Sequence, residues 1–180
     1  MQHFNCTQPG KPANPSRKAI IMSVTENQHT IVDQETFSVR RTIQIDAPIE
    51  KVWAAITQPE QVSRWFGRLA LNGASTGASG TITWPERDPI PIRIEAIAEQ
   101  EMIAYRWGND DAAPVTDEKL DDAHSTVFTF TLEPLRDGTQ LTVVEAGFET
   151  LSDPAADLES HRGGWDEELD KLSALLTGSV

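Results

Sequence analysis

The amino-acid sequence predicts an α+β fold: a curved antiparallel sheet of about six strands, two short helices, and one long C-terminal helix packed across the sheet. Three observations predict it. Between residues 79 and 148 the chain runs through short segments with apolar side chains at every second position, most of them joined by short links, the pattern of an antiparallel meander. From Leu158 onward the apolar residues recur instead every three or four positions, the helix period. An antiparallel sheet with one apolar face needs a cover, and the terminal helix is the only segment large enough to supply it.

The elements follow in order. Residues 36–45 alternate, with Phe37, Val39, Arg41, Ile43 and Ile45 on one side, and read as a strand. Ala47-Pro48 starts a helix, since proline suits the first helical position and Glu50 falls where the helix dipole favours an acid. Ile49, Val52, Trp53 and Ile56 form its apolar stripe. Thr57-Gln58-Pro59-Glu60 has the form of a capping box opening a second short helix through Phe66, with Gly67 as its stop. After a small-residue stretch, 73–80, strands are expected at 79–86, 90–98, 102–108, 125–133 and 139–148. The last two are joined by a hairpin around Asp137-Gly138. Asp153 and Pro154 then cap the long helix, whose apolar side carries Leu158, His161, Trp165, Leu169, Leu172 and Leu176. Gly163-Gly164 inside it suggests a kink or a close backbone approach, with a merely tolerated flaw as the alternative, because each glycine costs about 0.8–1 kcal/mol relative to alanine there.

Composition bounds the function. The chain has 180 residues, 28 acidic against 15 basic side chains, a net charge of −13, and a single cysteine. Its length fits one domain, able to bury roughly 70% of its unfolded surface without disulfides. A charge this negative speaks against nucleic acid and anionic lipid, whose phosphates demand basic surfaces. No apolar run reaches the ~18–20 residues of a membrane span. A soluble, cytoplasmic protein is the expectation. The first 22 residues hold Lys11, Arg17 and Lys18, no acid, and three prolines, so the remainder carries −16. They lack the apolar stretch of a secretory signal. Residues 1–35 therefore read as a disordered leader, with Met22 as an alternative start, and residues 36–177 as the folded domain.

Three stretches carry a family likeness. They are Ile45-Asp46-Ala47-Pro48-Ile49-Glu50-Lys51-Val52-Trp53-Ala54-Ala55-Ile56-Thr57; the 59–66 helix ending in Trp65-Phe66; and Gly147-Phe148 followed by Gly164-Trp165, Leu169 and Leu172. With these the chain, over about residues 36–176, resembles the helix-grip SRPBCC (START/Bet v 1-like) superfamily. Within it, the chain is similar to the family named for activators of the 90-kDa heat-shock protein ATPase. The resemblance implies the helix-grip fold, a cavity between sheet and terminal helix, and a link to stress response. It implies no single function, since this superfamily hosts ligand carriers, cyclases, hydroxylase domains and co-chaperones.

No catalytic signature accompanies these motifs. Gly73-Ala74-Ser75-Thr76-Gly77 matches G-x-S-x-G, but a nucleophile elbow needs a strand before it and a helix after it, and here a strand follows. None of His3, His29, His124 and His161 has a partner at metal-ligand spacing, so no metal or cofactor is expected. His161 reads as a histidine satisfied in the core or at a cavity edge, with acid–base work as the sharper alternative. The aromatic residues are the larger asset. They read as core one by one, while the resemblance implies that several line the cavity. The ligand-cavity candidates are Trp53, Phe66, Trp84, Tyr105, Trp107, Phe128, Glu145, Phe148, His161 and Trp165, with Tyr105 bringing a hydroxyl to orient a ligand.

Glu145 follows Leu141 and Val143 at period two and so points inward with them, or else is exposed near the strand's end. If buried, it needs a partner such as Arg93 or Arg106, or a raised pKa. The acidic run 110–122 reads as a solvated loop, with a docking site for a basic partner as the alternative. Trp65-Phe66 either packs inward or forms a homodimer patch. The leading expectation is a non-enzymatic protein holding a small hydrophobic or aromatic ligand between sheet and helix. Its rivals are a chaperone partner, as an activator of a 90-kDa heat-shock protein ATPase, and an aromatase/cyclase enzyme in which Glu145 or His161 moves protons.

Overall fold

Side chains alternate across a strand, so the buried face of a sheet can be read from every second residue. In the computed structural model, which describes residues 27–85, 87–108, 120 and 123–178, that rule produces one antiparallel sheet of eight strands. They are β1 (Ile31–Asp33), β2 (Ser38–Ile45), β3 (Arg68–Leu71), β4 (Ser79–Thr83), β5 (Ile90–Ala98), β6 (Met102–Gly108), β7 (Ser125–Leu135) and β8 (Gly138–Ala146). Their order is β1-β2-β8-β7-β6-β5-β4-β3. The strands β4 to β8 form the expected meander, which β3 extends at the edge. Helices α1 (Ile49–Thr57) and α2 (Pro59–Val62) carry the chain from β2 to the far edge, and α3 (Pro154–Thr177) packs on the buried face against β2.

The sheet therefore has eight strands where about six were expected. The two missed strands, β1 and β3, are three and four residues long, too short for a period-two pattern to stand out. β1 falls within the stretch assigned to the leader, yet Ile31, Val32 and Asp33 pair with Arg40, Val39 and Ser38. Phe37, expected inside, instead sits in the turn between β1 and β2 with a positive φ of 45° and is exposed. The capping box at Thr57 also does not form. Gln58 is the N-cap of α2 and makes no side-chain cap bond, while Thr57 donates its hydroxyl back to the Trp53 carbonyl. Pro48 likewise precedes α1 as its N-cap rather than starting it.

Other elements match the expectation closely. Leu135 pairs with Gly138, leaving Arg136-Asp137 as a two-residue loop. Gly138 has φ of 155°, and a Cβ there would lie 2.3 Å from the Ile45 carbonyl oxygen, so this approach requires glycine. Asp153 caps α3 by accepting from the Ala156 amide at 3.2 Å. Leu158, Trp165, Leu169, Leu172 and Leu176 form its buried stripe.

One buried position is charged. Arg41 alternates with Val39 and Ile43 on the core face of β2 and is 3% exposed. Its guanidinium donates to the carbonyls of Trp165 (3.0 Å), Asp166 (2.6 Å) and Gln28 (3.1 Å), and to the Asp170 carboxylate at 2.5 Å. Five planar donors let one side chain clamp the middle of α3 and the segment before β1 onto the sheet.

The interior between sheet and α3 is filled. Phe128, Phe130, Phe148, Leu169 and Leu172 are all fully buried. The gap beside Tyr105, Phe128 and Phe130 holds only about 10 Å³. Between sheet and α3, free volume lies at the end of the sheet near the first half of the helix.

Candidate functional site

That volume is a half-open cleft of about 340 Å³. One wall is a single face of α3. Asp157, Ser160, His161, Gly164, Trp165 and Glu168 follow the i, i+3, i+4, i+7 spacing that stacks side chains on one helix face. The opposite wall comes from Phe66 after α2, Trp84 after β4, Arg87 and Ile90 around the start of β5, and Trp107 on β6. Three rings dominate it, and Trp165 on α3 joins them as a fourth. Phe66 stacks on Trp165 at 5.4 Å between centroids and meets Trp84 edge-on at 5.2 Å, while Trp84 and Trp107 lie 5.9 Å apart. Such pairs add about 0.5–1.5 kcal/mol each beyond burial, which holds the rings against one another.

Behind the rings lies Glu145 on β8, 0% exposed. Oε1 accepts from the Trp107 indole N–H at 2.8 Å and from the Thr126 hydroxyl. Oε2 accepts from the Trp165 indole N–H at 2.7 Å and pairs with His161 Nδ1 at 2.9 Å. The Trp107 N–H is shared with Thr126 Oγ1, also at 2.8 Å. Every donor comes from a different place in the chain: β6, β7 and two turns of α3. Burial pushes the Glu145 pKa up, but the charge of His161 and the hydrogen bonds from His161, Thr126 and Trp165 prevail and hold it below the ordinary value. Glu145 is thus an ionised carboxylate that fixes the orientation of two cleft-lining indoles and one imidazole. The chain reaches this geometry because Gly147, in the left-handed region at φ 105°, ends β8 and turns into Phe148–Thr150. That turn buries Phe148 against His161 at 5.1 Å between ring centroids.

Glu145 is buried with a partner, but the partner is His161. Arg93 and Arg106 both engage Glu95 instead, at 2.6 and 3.3 Å. Its pKa is lowered rather than raised. Of the ten expected cavity residues, Phe66, Trp84, Trp107, His161 and Trp165 line the cleft, and Glu145 stands directly behind them. Phe128 and Phe148 belong to the packed core. Tyr105 does too: its hydroxyl donates to the Ile56 carbonyl at 3.0 Å, and burial raises its pKa. Trp53 is half-buried on α1, away from the cleft. Trp65 is 3% exposed and Phe66 faces the cleft, so this pair packs inward instead of forming a dimer patch. Ser75 lies in an exposed turn between β3 and β4, with no helix after it. His29 pairs with Asp166 at 3.1 Å. His3 and most of the acidic run 110–122 lie outside the described residues.

Sequence reasoning missed Arg87, Asp157, Ser160 and Glu168. The last three carried a signal, since each sits three or four residues from His161, Gly164 or Trp165 and so shares their face. Glu168 is the unusual one. Its Oε1 meets Lys171 at 3.2 Å, but Oε2 is buried with no hydrogen-bond partner among the described residues. Burial raises its pKa against the opposing pull of Lys171. Among the described residues no group of His, Cys, Asp and Glu could hold a metal ion. No described helix is long and apolar enough to cross a membrane.

Comparisons with known proteins agree with this architecture. Residues 46–177 match the family model described as Activator of Hsp90 ATPase homolog 1-like protein. No curated protein matches the chain. Among solved structures, protein MLL2253 from Mesorhizobium loti is 25% identical, with a TM-score of 0.66 over 79% of this chain and 98% of that one. DynU16, a protein of the dynemicin biosynthetic locus, is also 25% identical, with a TM-score of 0.61 over 78% of this chain; the match spans 48% of its own length. The Aha1 dimer from Colwellia psychrerythraea has a TM-score of 0.59 over 77% of this chain and 95% of that one, at 16% identity, and shares the fold.

Proposed function

We propose that this chain, which belongs to the Activator of Hsp90 ATPase homolog 1-like family, is a binding protein that holds a small aromatic or apolar ligand in the cleft beside α3. The observation that carries this reading is the pairing of about 340 Å³ of half-open space with four rings, Phe66, Trp84, Trp107 and Trp165, two of them held by the buried Glu145. Small-molecule sites share this make-up: a largely preformed apolar wall with few, well-placed polar groups. Preorganisation also lowers the ordering cost of binding.

The test is a titration of tryptophan emission and of heat with a panel of fused-ring aromatics and polyketide-like chains. Three of the five tryptophans line the cleft, so an occupant should change the emission. Gly164→Phe, which fills the cleft from the α3 side, should abolish the response. A panel that produces neither heat nor emission change would sink the reading.

A second reading, a cyclase-type enzyme, has one observation behind it: His161 lines the cleft and its Nδ1 is oriented by a buried carboxylate. A histidine so held is equipped for proton transfer. His161→Gln separates the two readings, since a carrier loses affinity at most whereas an enzyme loses turnover. Activation of a 90-kDa heat-shock ATPase rests on the family alone; unchanged chaperone turnover at saturating chain would remove it.

A further inference from the structure

Phe66 stands between two spaces. On one side is the half-open cleft of about 340 Å³, which it lines with Trp84, Trp107 and Trp165. On the other is the interior gap of about 10 Å³, which it lines with Trp65, Tyr105, Phe128 and Phe130. Among the described residues, Phe66 is the one that borders both. Its ring contacts divide the same way. Trp84 at 5.2 Å, Trp165 at 5.4 Å and Trp107 at 5.8 Å lie towards the cleft. Trp65 at 5.2 Å and Phe128 at 6.0 Å lie towards the interior. The ring is half-buried, as a boundary side chain should be, and its backbone is held. The Phe66 amide donates to the Val62 carbonyl at 3.0 Å. At Gly67 a Cβ would lie 2.7 Å from Ile82 and 2.9 Å from Trp84, so the chain beside the ring already presses on β4 and has no room to retreat. The interior gap is close to the size of a single water and its lining is apolar, so by itself it takes no ligand. The cleft, at about 340 Å³, sits near the lower end of the ~300–1,000 Å³ of small-molecule sites.

Resting on the ligand-binding reading above, we infer that Phe66 sets the depth of the site, so that its occupant is a compact fused-ring molecule and not a long chain threaded between sheet and α3. Because the rings pack on one another, the way inward is closed. Added ligand length then stays in water and contributes little affinity. Cutting Phe66 back to alanine joins the cleft, the vacated ring space and the interior gap into one deeper apolar pocket. Packed surroundings relax only partly around such a deletion, and an apolar cavity stays dry and open to an apolar ring. A merely structural Phe66 would lower stability on truncation and leave the preference for ligand length where it was.

Two probes that share one head test this: 2-naphthol, and 6-phenyl-2-naphthol, which carries one further ring at the far end, titrated calorimetrically into the full chain. With the unaltered chain the longer probe should gain less than threefold over the shorter. With Phe66→Ala that ratio should rise by about tenfold, the order expected for burying one more ring. Phe66→Val should move the ratio the same way by a smaller factor, and it takes over should the alanine variant not fold. A second measurement needs no variant. In a spectrum of the indole N–H groups, 2-naphthol should shift Trp84, Trp107 and Trp165 and leave Trp65, which faces the interior gap, in place. A longer probe that gains more than threefold on the unaltered chain, or a Trp65 signal that moves as far as that of Trp107, would overturn the inference and leave the ligand-binding reading standing. A ratio that stays within threefold of the parent's in Phe66→Ala would overturn it as well. If neither probe binds the unaltered chain, the inference fails together with the reading beneath it.

Discussion

Glu145 on β8 and His161 on α3, 16 residues apart in sequence, meet at 2.9 Å through Oε2 and Nδ1, and this contact joins the sheet to the helix at the back of the cleft. With Trp107, Trp165 and Thr126 also donating, both carboxylate oxygens are fully engaged. The network is structural and site-forming at once, because the same indoles that satisfy Glu145 line the cleft.

Glu145→Gln should destabilise the chain by about 1–3 kcal/mol, since an amide offers one acceptor oxygen where the carboxylate offers two and leaves a buried donor unmet. The sign with pH follows from the lowered pKa. A group depressed in the folded state contributes stability that is present above its unfolded value of 4.5 and is lost as pH falls through the lower folded value. Denaturant midpoints measured from pH 7 downward should therefore drop more steeply below about pH 4.5 in the unaltered chain than in Glu145→Gln. Parallel curves would remove Glu145 as a source of acid sensitivity.

Glu168 should act in the opposite direction. Its raised folded pKa means that its contribution is fully present below the unfolded value of 4.5 and is lost as pH rises through the folded value. Glu168→Gln should accordingly gain stability relative to the unaltered chain as pH is raised from 4 towards 7. The check is the difference in thermal midpoint between the two proteins at each pH; a difference that does not change with pH counts against a perturbed Glu168.

Arg41→Met should cost about 3–5 kcal/mol, because it strips donors from the Trp165 and Asp166 carbonyls and leaves Asp166 and Asp170 without their common cation. Arg41→Lys should recover only part of the loss, since one ammonium cannot reproduce the planar fork. Chemical unfolding of both variants measures this, and a lysine variant as stable as the parent would show that charge alone suffices.

Gly163→Ala should stabilise the chain by about 0.8–1 kcal/mol, the helix-interior difference between the two residues. A Cβ there meets nothing within 4 Å, and neither glycine has a positive φ. Gly164→Ala should give a similar gain, but its methyl enters the cleft that Gly164 lines, so ligand affinity should fall for Gly164→Ala and not for Gly163→Ala. Thermal midpoints and one titration of each variant test both halves. The pair therefore marks no tight backbone contact: α3 continues through it from Pro154 to Thr177, and Gly164 keeps the cleft wall low.

Where periodic signals were long, the sequence sufficed. The stripe Leu158, Trp165, Leu169, Leu172 and Leu176, the Asp153 cap and the Gly138 hairpin could all be read in advance, because each depends on neighbours within a few residues. Short strands such as β1 and β3 could not, since three or four residues carry no period. The candidate aromatic residues were visible as a set, but not their division into cleft wall and filled core. Phe66, Trp84 and Trp107 bound open space while Tyr105, Phe128 and Phe148 are packed solid.

By itself, then, the sequence determined the α+β class, the long covering helix and the family likeness, all written in local spacing. Only the tertiary structure decided that Glu145 is paired with His161 rather than an arginine, that Arg41 clamps α3 from inside, and that Glu168 Oε2 is buried with no hydrogen-bond partner among the described residues. The reason is physical. A charge's partner is chosen by which strands and helix turns converge, and residues 125 apart, such as Arg41 on β2 and Asp166 on α3, are brought together by burial of the whole core rather than by any local pattern.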